Sequence, residues 1–272
     1  MVNRSVSAII VLVMVIIAAI VLSGTFFPNN NSSVINSNSV FNEPSNNTST
    51  TANTSPIIPA FSPNTEPVLA DQGRYIVTLQ DAAVGLQGVS QIKVNIGSVR
   101  AYSVTEGWTT ISSTAQTIDL IQLKNSGKNV LIADSNLLPD SYNQLGLLVY
   151  SVIVVDAQGA HFAALPTEFI TLNTEANVNV NEITVTSIDI LADKSIYTTN
   201  KGEYIFAPTI QFQTNENSVV KINSSNNLTL TRGTPKVNAT VGMDEYGMIG
   251  EGFSISPNAI LSIDETGELV VG

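Results

Sequence analysis

After Asp71 the apolar positions never sustain the three-to-four-residue spacing of an amphipathic helix. Short runs of β-branched and aromatic residues recur instead, divided by Gly, Asn, Asp and Pro, the punctuation of strands and turns. Tyr75-Ile76-Val77-Thr78-Leu79 opens the series. Ile92, Val94 and Ile96 alternate with Lys93 and Asn95, which predicts a half-buried strand. Glu106-Gly107 then turns the chain into Trp108-Thr109-Thr110-Ile111. The longest run, 142–155, ends at Asp156-Ala157-Gln158-Gly159, a predicted hairpin turn into His161-Phe162. Further strands are predicted over 168–172, 183–191 and 204–213, and 119–123 as a single helical turn. With no alternation of strands and helices, doubly wound folds and α/β barrels are not expected. The expected fold is all-β, an antiparallel sandwich of immunoglobulin-like or transthyretin-like type over residues 71–215. In residues 216–272, strands are predicted over 227–232, 236–241, 259–263 and 269–271. These either add to the sandwich or form a small second module, and the second is the expectation.

The pattern before Asp71 is of another kind. Arg4 is the only charge ahead of an apolar run over 8–22, and the stretch 6–27 holds 14 Val, Ile, Leu or Phe residues. At about −0.3 to −0.6 kcal/mol each, membrane insertion gains roughly 4–8 kcal/mol. The length suits the roughly 20 residues that cross a bilayer. Arg4 places the short N-terminal side in the cytoplasm, so the rest of the chain is expected outside, tethered by residues 1–28. The alternative is a cleaved signal peptide and a secreted protein, with Leu22-Ser23-Gly24 as the cleavage point. Residues 29–70 read as a linker: of residues 29–66, 27 are Asn, Ser, Thr or Pro and only Glu43 and Glu66 are charged. So little apolar surface does not offset the entropy of ordering, and disorder is expected.

Composition narrows the function. The net charge is −11 and charged residues make up 12% of the chain, so neutral polar groups hydrate the surface. An acidic chain repels phosphate backbones, and no nucleic-acid partner is expected. The absence of Cys removes disulfides, thiolate metal sites and Cys nucleophiles, and His161 is the only histidine. Sequons for N-glycosylation stand at Asn30, Asn31, Asn46, Asn47 and Asn53, and again at Asn223, Asn227 and Asn238. None falls between Asp71 and Asn215, which fits glycans on accessible segments outside the core.

Two resemblances follow from particular residues. Leu79-Gln80-Asp81-Ala82, the strand from Ile92, Gly107-Trp108 and Asp119-Leu120-Ile121-Gln122-Leu123 occur in this order. They are followed by Leu138-Pro139-Asp140-Ser141-Tyr142, Asp189-Ile190-Leu191-Ala192-Asp193-Lys194-Ser195 and Tyr204-Ile205-Phe206-Ala207-Pro208-Thr209-Ile210. Over residues 73–213 this pattern resembles the bacterial and archaeal family of domains of unknown function numbered 4382. The resemblance implies a secreted or membrane-anchored β-sandwich module without assigned activity. The chain departs from the family in lacking a lipidation Cys, the Pro usual after Asp81-Ala82, and the turn Gly, where Ser141 stands. Separately, Arg4-Ser5-Val6-Ser7-Ala8-Ile9-Ile10 with the apolar run and Gly24-Thr25-Phe26 is similar to the start of archaeal type IV pilins. That resemblance implies cleavage just before the apolar helix and assembly into a filament.

Candidate chemistry is sparse, and no catalytic residue, cofactor or metal site is expected. Asp189 and Asp193 are a carboxylate pair at a strand end, suited to acid–base work or Ca²⁺, but better to turn formation, since Asp193-Lys194-Ser195 is turn chemistry. Trp108 suits stacking on a sugar, or packing at a sheet edge. His161 reads as a satisfied or exposed histidine, because a metal site needs further donors. The glycine-rich 247–252 is read as a mobile loop, since no strand–helix context surrounds it and Glu251 repels phosphate. The function expected is a non-catalytic cell-surface module, binding or structural, whose partners are envelope proteins or polysaccharide. The alternatives are a pilin-like filament subunit and, more remotely, a carboxylate-based glycosidase.

Overall fold

The computed structural model describes residues 71–80 and 86–272. The expected membrane segment 6–27, the linker 29–70, five of the sequons and Asp81-Ala82 lie outside them. Among the described residues no helix is long and apolar enough to cross a membrane. In chain order the elements are β1 (Gly73–Gln80), β2 (Val89–Ser103), β3 (Gly107–Ser112), β4 (Gln116–Asp119), α1 (Leu120–Ser126) and β5 (Val130–Leu137). Next come β6 (Asp140–Asp156), β7 (Gly159–Ala163), β8 (Phe169–Leu172), β9 (Ala176–Val178) and β10 (Ile183–Ile190). A 3-10 turn (Ala192–Lys194) leads to β11 (Ile196–Thr198), β12 (Tyr204–Phe206), β13 (Ile210–Ile222) and β14 (Leu228–Met243). The chain closes with β15 (Ile249–Gly250), β16 (Leu261–Ile263) and β17 (Leu269–Val271).

Two sheets share one apolar core, a sandwich-like arrangement. The seven-stranded sheet is built on β2 and β6, which pair along almost their whole lengths. These two are long enough for several short partners to share an edge: β3 and β4 both pair with β2, and β7, β8 and β9 with β6. Alternation puts Ile92, Val94 and Ile96 inward, and the register slips at Gly97, so that Val99 and Ala101 continue the buried row. From β6, Leu145, Leu147, Val149, Val152 and Val154 fill the same core.

The second sheet runs β15-β14-β13-β10-β1-β5. It is mixed, which corrects the expectation of a purely antiparallel sandwich: β1 pairs with β10 in parallel. The whole seven-stranded sheet forms the crossover between these two strands. Parallel central strands are covered on both faces, and Gly73 to Leu79 are indeed all buried. Tyr75, Val77 and Leu79 join the main core, while Ile76 belongs to a second cluster with Val185, Val220 and Leu228. The far half of the β13–β14 hairpin supplies that second cover. β13 is irregular between Thr214 and Val220. The loop beyond it is pinned to β5 by Leu131 N–H donating to the Asn226 carbonyl and Leu228 N–H to that of Asn129.

Of the two arrangements open to residues 216–272, the structure therefore has the first for β14, a full member of the six-stranded sheet. The two strands expected over 227–232 and 236–241 are one, with Pro235 opposite Asn215 where the ladder is already irregular. The single strand expected over 204–213 is two, divided at Ala207-Pro208-Thr209, where Pro208 has no N–H for a ladder. The predicted helical turn is α1, capped by Asp119, whose carboxylate accepts from Ile121 and Gln122 N–H, and closed by left-handed Gly127.

Candidate functional site

Trp108 is set by a tight hairpin. Glu106 N–H donates to Ser103 Oγ, Gly107 takes φ 69°, and Ser103 pairs with Gly107, which places Trp108 opposite Tyr102. The indole does not enter the core. It lies half-buried on the outer face of the seven-stranded sheet, its centroid 5.3 Å from both Tyr102 and Phe169, edge-on to the latter at 78°. The Phe169 and Trp108 rings meet above Gly146, where an added Cβ would lie 2.4 Å from Phe169 Cζ. The Arg100 guanidinium stands 5.6 Å from the indole centroid. Among the described residues it has no carboxylate partner.

A second ring sits further along the same face. An added Cβ at Gly97 would meet three atoms of the Tyr150 ring, at 2.2, 2.2 and 2.7 Å. Three neighbouring ring atoms so nearly equidistant mean that the ring lies face-down on the glycine. Its other face looks outward, and Tyr150 is 54% exposed. Phe162, opposite Ile153, is 74% exposed. Of these rings the sequence reading singled out only Trp108 as a ligand contact. The signal it passed over was a glycine within each of the two longest strands of this sheet, Gly97 and Gly146, where glycine marks a close approach.

The two aspartates lie in different elements. Asp189 is buried in β10, aligned with Gln80 and Gln211, whereas Asp193 is half-buried within the 3-10 turn. Among the described residues no group of three or more His, Asp or Glu side chains is placed to hold a metal ion. His161 and Tyr204 share Asp156, with His161 Nε2 3.1 Å from one carboxylate oxygen and the Tyr204 hydroxyl donating to the other at 2.8 Å. Asp156 also accepts the Gln158 and Gly159 N–H groups of the predicted hairpin turn. The Tyr204 hydroxyl bond, and then these turn donors, hold its carboxyl below the usual aspartate range. This constellation joins the β6–β7 hairpin to β12.

A cleft of about 700 Å³ lies between the β7–β8 connection and the C-terminal hairpins, lined in part by Glu168, Glu245 and Glu268. Glu168 and Glu268 are exposed, and Glu245 accepts the Ser256 N–H. The burial by which a general acid is usually made is missing from the two exposed carboxylates. The segment read as a mobile glycine loop is part of a hairpin. Met243 pairs with Ile249, and the Asp244 carboxylate accepts from Tyr246 and Met248 N–H. The same construction recurs where Ile263 pairs with Leu269 and Asp264 accepts from Thr266 and Glu268 N–H. The signal for it was the repeat Asp-Glu-x-Gly at Asp244 and Asp264. Of the described sequons, Asn223 and Asn238 are exposed, whereas Asn227 is half-buried and accepts the Asn129 N–H.

Fold and site together define a sandwich-like β domain with an aromatic outer face. The family described as a domain of unknown function (DUF4382) matches residues 72–208, just over half of the chain, and the protein belongs to that family. No curated protein and no solved structure matches the chain.

Proposed function

We propose that the protein is a non-catalytic module of the cell envelope, tethered by residues 6–27, held away from the membrane by residues 29–70, and acting by binding. The observation that carries the binding role is the outer face of the seven-stranded sheet, where Tyr150 and Phe162 are exposed and the Trp108 nest lies beside them. Rings on a rigid sheet offer contact area at low entropic cost, as recognition surfaces do. The polar groups described above support the same reading, because Asp119, Asp156, Asp244 and Asp264 each close a local turn or cap. The apolar run behind Arg4 supports the tether.

Protease treatment of intact cells tests it, combined with the mass and terminal sequence of the protein extracted from membranes. The expected result is release of the β domain while cytoplasmic markers stay protected, with Arg4 still present in the membrane fraction. A protected domain overturns the reading. Cleavage just before Ala8, with recovery in sheared filaments, replaces it by a pilin-like subunit, and cleavage after Gly24 by a secreted protein.

A further inference from the structure

The outer face of the seven-stranded sheet has the layout of a track. Along β6, aromatic side chains occur at three places: over Gly146, at Tyr150, and opposite Ile153, where Phe162 stands. Gly97, under the Tyr150 ring, lies level with Leu148 and Val149, so at about 3.3 Å per residue the rings are roughly 8 Å and 15 Å apart along the strand. Cross-strand pairing sets neutral hydrogen-bonding residues between them. Ser98 is opposite Leu148, Asn95 is opposite Ser151, and Thr171 is opposite Gly146.

We propose that this face binds an extended polysaccharide. Its sugar rings stack by their C–H faces on Tyr150, Phe162 and the Trp108 nest, and Arg100 donates to sugar oxygens. The inference rests on the reading of the protein as a binding module, and not on its tether. Three features select this ligand. A phenol ring lying face-down on a glycine presents its electron-rich face outward, the orientation that attracts C–H groups, whereas a ring seated on its edge does not. Repetition of rings along one strand direction suits an elongated ligand more than a small one. The Ser, Asn and Thr residues between the rings match hydroxyl groups, and a purely apolar partner would bury them unpaired. Charge agrees. On a protein of net charge −11, Lys93 on this face stands opposite Asp119 while Arg100 has no acidic partner among the described residues, so a cation beside the Trp108 nest is left to meet sugar oxygens.

Trp108 is the only tryptophan, so its emission reports on this face alone. The full chain in zwitterionic detergent micelles is titrated with three polymers and followed by fluorescence and by retardation in affinity gels. The polymers are hydroxyethyl cellulose, polygalacturonate, and envelope polysaccharide from the cells that make the protein. At least one is expected to retard the protein and shift the emission. Tyr150→Ala and Phe162→Ser are each expected to weaken that interaction about tenfold while leaving the melting temperature unchanged. Binding by polygalacturonate but not by the neutral polymer assigns a carboxylate to Arg100, and the reverse assigns hydroxyls; either supports the proposal. No response to any of the three overturns it. So does a sedimentation result in which Tyr150→Ala dissolves a dimer, because the face then belongs to a second copy. Release of the domain from cells without glycan binding leaves envelope display standing, and binding without release removes display alone.

Discussion

Two glycines with similar clashes but different neighbours show how much depends on what gives way. At Gly242 an added Cβ would lie 1.8 Å from the Phe253 carbonyl oxygen, so the backbone of the following turn has to move. At Gly97 the three atoms it would lie nearest all belong to the far end of the Tyr150 side chain, which is half in solvent and free to swing. Gly242→Ala is therefore expected to cost about 1–3 kcal/mol, the range for overpacking, and Gly97→Ala less than about 1 kcal/mol. Urea unfolding of the two variants checks the order. Gly97→Ala lifts the Tyr150 ring from its seat without deleting it, so glycan retardation is expected to fall although stability barely changes. In the sequence, Gly97 was visible only as an interruption of Ile92, Val94 and Ile96. What rests on it comes from β6, more than fifty residues on, and no local pattern carries a contact of that range.

The elements themselves were far more legible, because strand alternation and turn chemistry are local. The turn at Asp156, the helical turn from Asp119 and the buried row of β2 all stand where the residue pattern placed them. The strands β4, β5, β9 and β11 went unread, and two boundaries failed at Pro. Pro208 divides a strand read as continuous, while Pro235 lies inside a strand read as divided. A proline ends pairing only if its missing N–H faces a partner, and position in the sheet decides that. The clearest single test of a local element is the cap of α1. Asp119 Oδ1 accepts Ile121 and Gln122 N–H and also reaches the Ile92 N–H of β2 at 3.3 Å. Asp119→Ala is expected to cost about 1–2 kcal/mol in urea unfolding, and Asp119→Asn, which keeps the acceptor, only a few tenths. Equal losses would show that the charge matters and the cap does not.

At the scale of the whole molecule, nothing local in the sequence marks β1 and β10 as parallel neighbours separated by an entire sheet. The near-continuous run Tyr75–Leu79 was the available sign, yet so short a run reads the same in either kind of sheet. Acid response is a property of the same scale, because three aspartates in separate turns share one direction of shift. Ser103 and the Ser141 N–H hold Asp140 low, the Tyr204 hydroxyl does so for Asp156, and the Thr266 hydroxyl and Glu268 N–H for Asp264. A carboxyl with a lowered folded pKa binds protons less readily folded than unfolded. Its stabilisation is complete above the ordinary aspartate value and is lost as the pH falls through the lowered one. The melting temperature is thus expected to be nearly flat from neutrality down to the ordinary aspartate range, and to fall below it. Asp156→Asn removes one titrating group and leaves Tyr204 with an amide oxygen to donate to. It is expected to lower the melting temperature at neutral pH and to make the acid limb shallower. An acid limb as steep as that of the unaltered protein would place the titration elsewhere, and the link from the β6–β7 hairpin to β12 would then owe nothing to the charge of Asp156.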